Sequence, residues 1–284
     1  MEKVTDIQDL KEIATQVRRD IVRMVHAVQS GHPGGSLGCA DYFTALFCNL
    51  MDHNPNAYSD TGHEEDVFIL SNGHISPVLY SVLARCGYFE VSELSTFRKL
   101  NSRLQGHPAT KEGLPGIRVA TGSLGQGLSV GLGIALQKKL DHDDHIVYIN
   151  LGDGELQEGQ NWEAIMFAAH NKIDNIIVTV DFNKQQIDGS TVDIMGFNEL
   201  TSKFLAFGWD VVEMDGNQME QILDVVNKTK GQLRKGKPVV IIMHTEMGAG
   251  VDFMMGSHEW HGIPPNDEQL ANALAQLPSK LADY

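Results

Sequence analysis

Gly152-Asp153-Gly154-Glu155 follows an apolar run and precedes a helical stretch beginning near Glu158. A glycine turn in that place suits a diphosphate, because free main-chain N–H groups and the positive end of the helix point at it. Asp153 complicates this. A carboxylate inside the turn repels a diphosphate unless a divalent cation lies between them; the alternative is an aspartate that does no more than cap the helix. Thirty residues on, the apolar run 175–181 opens into Phe182-Asn183-Lys184-Gln185, about one βαβ unit away, so both loops leave the same rim. Asp153, the amide oxygen of Asn183 and the main-chain carbonyl of Gln185 then offer three hard oxygen ligands on one side of a cation. Two diphosphate oxygens and a water would complete the octahedron that Mg²⁺ favours. Soft ligands are absent, so zinc is not indicated.

Positioning these loops requires a sheet. Strand-like runs lie at 66–70, 145–151, 175–181, 209–214 and 238–244, and helical stretches at 160–170, 198–207 and 219–233 separate the last four. Short apolar runs alternating with helices predict an α/β fold with a parallel sheet covered by helices on both faces. Ligands in such folds bind beyond the carboxyl ends of the strands, which places the loops after Leu70, Leu151, Asp181 and His244 on one rim. Upstream, apolar residues at Ile7, Leu10, Ile13, Val17, Ile21, Met24 and Val28 predict an amphipathic helix ending near Gly31, with a second helix over 41–50. Residues 119–137, uncharged but broken by five glycines, read as a glycine-rich loop feeding a helix and not as a membrane span. The whole chain, 1–284, reads as one domain with a polar tail helix over about 266–284.

Composition narrows the partners. The net charge of −15 repels nucleic-acid phosphates and anionic lipid heads, so neither nucleic acid nor membrane is expected. Cys39, Cys48 and Cys86 form no CxxC and leave one thiol over, the pattern of reduced thiols in a cytoplasmic protein. The acidic start has no apolar segment of the kind a secretory signal needs. Among twelve histidines, His53, His63, His142 and His145 sit in polar stretches and read as surface residues. His258 and His261 make an HxxH pair without a carboxylate third ligand, poor ground for a metal. A nicotinamide dehydrogenase would want GxGxxG, but after Gly125-Gln126-Gly127 the third glycine is replaced by Val130.

GDG followed by an Asn-containing loop resembles the signature of thiamine-diphosphate enzymes. Further motifs resemble the N-terminal, diphosphate-binding half of transketolases: Ser30-Gly31-His32-Pro33-Gly34, Ser71-Asn72-Gly73-His74, Gly106-His107-Pro108, Thr121-Gly122-Ser123-Leu124-Gly125-Gln126-Gly127, the Thr245-to-Gly250 segment and Glu259-Trp260-His261-Gly262. The resemblance implies thiamine diphosphate with Mg²⁺, or Ca²⁺ or Mn²⁺ in its place, held by Asp153, Asn183 and the Gln185 carbonyl. It implies that Gly154 and Asn183 contact the diphosphate, that Gly122, Ser123 and Leu124 lie along the cofactor, and that His74, Glu155 and His261 also face it. Many transketolases have proline where Ser123 stands. His32, His107 and His261 would be catalytic, their imidazoles serving the hydroxyl protons of a sugar during two-carbon ketol transfer from a ketose, usually a phosphate, to an aldose. Glu158 would lie at the interface between subunits, with an ordinary first-turn helix acid as the alternative. The glutamate that activates the cofactor in this family belongs to a pyrimidine-binding domain lying beyond the part matched here. The implied partner is therefore a separate C-terminal transketolase subunit, with two copies of each chain, in pentose-phosphate-type carbohydrate metabolism. Rival expectations are a relative acting on a modified sugar donor, an enzyme making deoxyxylulose phosphate, and a noncatalytic cofactor-binding subunit.

Overall fold

The computed structural model describes residues 3–197 and 199–284. Strands β1 (Val67–Leu70), β2 (Val147–Gly152) and β3 (Ile176–Phe182) are followed by a short antiparallel ribbon of β4 (Gln185–Gln186) and β5 (Gly189–Ser190), then β6 (Asp210–Asp215) and β7 (Val239–His244). The five longer strands form one all-parallel sheet in the order β1-β2-β3-β7-β6. This is the expected α/β architecture, and each strand falls within about two residues of its predicted run. Because alternate side chains point to opposite faces, the apolar runs feed two cores. Tyr148, Ile177, Val239 and Ile241 pack on one side with α1 (Ile7–Val28), α3 (Ala40–Ala45), α4 (Ser76–Arg85) and α9 (Met219–Lys230). On the other side Ile149, Val178, Val180 and Val240 pack with α5 (Gln126–Leu140), α6 (Gly159–His170) and α8 (Leu200–Ala206).

Local chemistry sets the helix ends. Asp6 caps α1, its carboxylate accepting from the amides of Gln8 and Asp9 at 2.7 and 3.2 Å, and the helix closes at Gln29 in the left-handed region. The second predicted helix continues from α3 into a π-helical turn, Leu46–Leu50. Asn198, the expected start of α8, lies outside the described residues. Sequence reading did not expect the β4–β5 ribbon, α4, the short α7 (Thr191–Met195) or α2 (Pro33–Gly38), a short helix begun by proline inside what reads as a glycine loop.

The tail departs from expectation. Asn266 and Gln269 form a reciprocal capping box that starts α10 (Asp267–Gln276), but the helix ends there and does not run to 284. Pro278 disfavours continuation, and the last residues instead lie along α1. Asp283 accepts from Arg19, Arg23 and Gln16, and the Arg23 guanidinium sits 4.6 Å over the Tyr284 ring. His53 is a second correction. It is half-buried, its ring stacked on Tyr88 and its nitrogens 2.7 Å from the Tyr88 hydroxyl and the Phe47 carbonyl, because the turn after α3 folds back over the core. His145 is also partly buried, pairing with Asp143 at 2.6 Å, whereas His63 and His142 are exposed as expected.

Candidate active site

Strand register brings the acidic turn and the asparagine loop together. Gly152 at the end of β2 stands opposite Asp181 on β3, and the Asp153 amide donates to the Asp181 carbonyl at 3.2 Å. The buried Asp153 carboxylate accepts from the amides of Gly154 at 2.7 Å and Lys184 at 2.6 Å. It caps the 3₁₀ turn Gly154–Gln157; the residue at the N-cap of α6 is Glu158, which is exposed and makes no side-chain capping bond. Asn183 donates its Nδ2 to Asp181 at 2.9 Å and accepts the Gln185 amide on its Oδ1 at 2.9 Å. Asp181 also accepts from the Thr245 hydroxyl, which follows β7.

Two buried carboxylates, with no basic side chain against them among the described residues, make this corner electronegative. Burial, then the neighbouring Asp181, push Asp153 up to about 8, and burial raises Asp181 too. Among the described residues no three His, Cys, Asp or Glu side chains converge on a metal position. The donors here are instead one carboxylate beside amide and main-chain oxygens, a set suited to a hard cation such as Mg²⁺.

Beside this corner three imidazoles touch. Ring centroids of His32 and His74 are 5.0 Å apart, His32 and His261 5.6 Å, and His74 and His261 5.1 Å. His32 precedes α2, His74 lies on a 3₁₀ turn after β1, and His261 ends another, His258–His261. Burial, then the His261, Arg98 and His107 charges, lower His32 to about 4; His74 is held well below its ordinary value and His261 below it, burial being the first cause in each. All are therefore neutral near pH 7, each with one donor and one acceptor nitrogen. The Nδ1 atoms of His32 and His261 are buried without a partner among the described residues, a costly state unless a bound polar group completes them. His107 joins from across the cleft. Gly122, at φ 120°, presses on it so closely that a Cβ would stand 2.6 Å from the ring, so only glycine fits.

These groups line a cleft of about 390 Å³. Every site residue expected from sequence lines it except three: Asp153 lies just behind the turn, Ser123 is exposed with its carbonyl accepting the Gln126 amide, and Glu158 faces outward at the start of α6. Sequence reading gave no site role to Asn72, quoted in a motif, to Asp181, placed on the rim, or to Ile187, which all line the cleft, nor to Arg98, which lowers both His32 and His107. Asp181 carried a signal, a carboxylate closing an apolar strand on the ligand rim. Arg98 carried none. No lysine or arginine is among the described residues lining the cleft.

A parallel sheet with glycine turns, neutral imidazoles and buried acids gathered at its carboxyl rim defines a cofactor-binding α/β protein. Residues 10–280 match the family described as transketolase, thiamine diphosphate binding domain, and the chain belongs to that family. It is 36% identical over 281 residues to one of the apulose-4-phosphate transketolase subunits of Phocaeicola vulgatus, covering 97% of this chain and 96% of that protein. To the 6-deoxy-6-sulfo-D-fructose transketolase subunit SqwG of Clostridium sp. it is 37% identical over 269 residues, covering 95% and 96%. Among solved structures, transketolase from Leishmania mexicana matches with a TM-score of 0.88 at 30% identity over 99% of this chain, and that of Campylobacter jejuni with 0.87 at 34% over 96%. This chain spans 42% and 43% of those two longer chains.

Proposed function

We propose that this chain is the diphosphate-binding subunit of a two-polypeptide transketolase, moving a two-carbon ketol unit from a ketose to an aldose. The observation that carries the reading is the cluster of neutral His32, His74 and His261 beside the Asp153 and Asn183 corner, on one rim of the sheet. Thiamine diphosphate, when bound, supplies the carbon that takes the ketol unit from the donor and passes it to the acceptor. Asp153, Asn183 and the Gln185 carbonyl would hold Mg²⁺, with Gly154 and Asn183 against the diphosphate. Gly122, Ser123 and Leu124 would lie along the cofactor, near His74. Neutral His32, His107 and His261 can each accept a proton from a sugar hydroxyl on one nitrogen while donating from the other, and the unpartnered Nδ1 atoms of His32 and His261 leave that capacity free.

The carboxylate that activates the cofactor and the groups gripping the sugar's far end would belong to a separate pyrimidine-domain subunit, in a cytoplasmic complex with two copies of each chain paired near Glu158. A modified sugar donor is the second reading. It is favoured by the two relatives named for apulose-4-phosphate and 6-deoxy-6-sulfo-D-fructose. Co-expression with the product of the adjacent reading frame, then a panel of ketose donors and aldehyde acceptors with thiamine diphosphate and Mg²⁺, tests both. Cofactor binding without turnover on any pair would leave a noncatalytic subunit.

A further inference from the structure

We propose that Glu155 is a positioning residue: its buried carboxylate fixes the spacing between the 122–125 loop and the 152–154 turn, the two walls of the cofactor cleft. The inference rests on the cofactor reading above and assigns a function to a group that would otherwise be a costly buried acid. Glu155 is 2% exposed, yet its partners are amides and a hydroxyl, with no cationic side chain among them. Oε1 accepts the Gly125 amide at 2.8 Å and the Ser71 hydroxyl; Oε2 accepts the Gly152 amide at 3.0 Å. Ser71 in turn accepts the Gly127 amide at 3.1 Å, so its hydroxyl relays a second amide of the α5 start to the carboxylate. Gly125 is the N-cap of α5 and offers no side chain of its own. Glu155 therefore caps that helix from a distance, where a negative charge is also favoured by the helix dipole.

The rest of the residue is held as well. Asn161 on α6 donates to the Glu155 carbonyl at 2.7 Å, fixing the backbone from which the carboxylate projects. Gly127 brings α5 against Ser71 so closely that a Cβ would lie 2.4 Å from the hydroxyl oxygen. One carboxylate thus ties the ends of β1 and β2 to the start of α5. Both of its oxygens accept from protein donors on the two walls, so the carboxylate's role is to hold the cleft's shape.

Glu155→Gln tests this because the amide replaces one acceptor oxygen with a donor, leaving either the Gly125 or the Gly152 N–H facing an N–H. Ser71→Ala removes only the relay to Gly127. In the full chain, Glu155→Gln is expected to speed hydrogen exchange at Gly125 or Gly152 by about tenfold or more, and Ser71→Ala at Gly127. Calorimetry on the assembled protein should show thiamine diphosphate with Mg²⁺ binding about tenfold more weakly to Glu155→Gln, with a smaller loss for Ser71→Ala. Magnesium diphosphate alone, which needs only one wall, should lose less than about threefold. Equal losses for both probes, or unchanged exchange and affinity in the two variants, would overturn the spacing role while leaving the cofactor reading in place. If the wild type binds neither probe, the cofactor reading falls and the proposal with it. Should Glu155→Gln fail to fold, the Ser71→Ala results decide.

Discussion

The Asp153 carboxylate accepts the main-chain amide of Lys184 at 2.6 Å, joining the turn after β2 to the loop after β3 across 31 residues of sequence. That one bond sets where Asn183 and Gln185 stand relative to the glycine turn. Asp153 thus serves a structural bridge and the proposed cation with the same group. A carboxylate can do both, because each oxygen has two lone pairs and the protein uses one on each.

Asp153→Ala is therefore expected to abolish Mg²⁺-dependent binding of thiamine diphosphate, measured by calorimetry in the assembled complex. It should also cost about 1–3 kcal/mol of stability, since two amides lose their acceptor. Unchanged cofactor affinity would refute the metal assignment.

His32 makes stability depend on pH with a definite sign. Its folded value, about 4, lies below the ordinary 6.5 because burial and the facing His261, Arg98 and His107 disfavour the imidazolium, with the His74 ring packed against it. Between pH 6.5 and 4 the unfolded chain takes up a proton that the folded chain refuses, so stability falls as pH drops through that window. The slope from this group is at most about 1.4 kcal/mol per pH unit. Denaturant titrations at pH 7 and pH 5 should show a smaller difference for His32→Phe than for the wild type, the other cleft histidines supplying the remainder.

Arg98→Met should raise the titration midpoints of both His107 and His32, because its guanidinium is among the charges that lower them. The same change removes its bond to the Ser30 hydroxyl at 2.6 Å. Histidine NMR signals followed against pH would report the shift; midpoints that stay put or fall would contradict the electrostatic account.

Sequence made the sheet legible because Val, Ile and Leu runs of five to seven residues, buried on both faces, have few other uses. GDG and the asparagine loop were equally legible, since strand order and one βαβ spacing force them onto one rim. What sequence could not supply was lateral geometry. That Arg98 reaches His107, or that the Glu155 carboxylate finds the amides of Gly125 and Gly152, depends on how loops far apart in the chain pack. The tail misled for a local reason: helical composition continues past Gln276, but Pro278 and the pull of Arg19 and Arg23 on Asp283 favour a strap along α1.

His107→Ala and His261→Ala should each lower ketol transfer by about 10²- to 10⁴-fold, the range for losing a general acid–base group, while weakening cofactor binding much less. His107, pressed by Gly122, also shapes the 122–125 loop, so His107→Asn should restore more binding than rate. Full activity of both alanine variants with a short acceptor aldehyde would reassign the two residues as structural.

The outer face of α5 and α6 is the candidate surface for the proposed pairing. Val130, Met166 and Phe167 are 42, 57 and 47% exposed there, beside a groove lined by Leu132, Gly133 and Leu136, and Glu158 stands at the start of α6. Scattered exposed apolar residues need no explanation, but a groove between two helices, mostly apolar with Glu163 and Ser129 on its edge, does. Burying a Phe or Met side chain contributes about 1.5–3 kcal/mol, so pairing two such faces across a twofold axis would count each gain twice. The proposed complex of two copies of this chain with two of its partner would use that face. Phe167→Asp would put a charge on this apolar face, which costs desolvation if the face is covered, and the mass in solution should fall from the paired complex to one copy of each chain. Because cofactor held between subunits favours association, thiamine diphosphate should partly restore the larger species. A wild-type complex that is active with a single copy of each chain would refute the pairing.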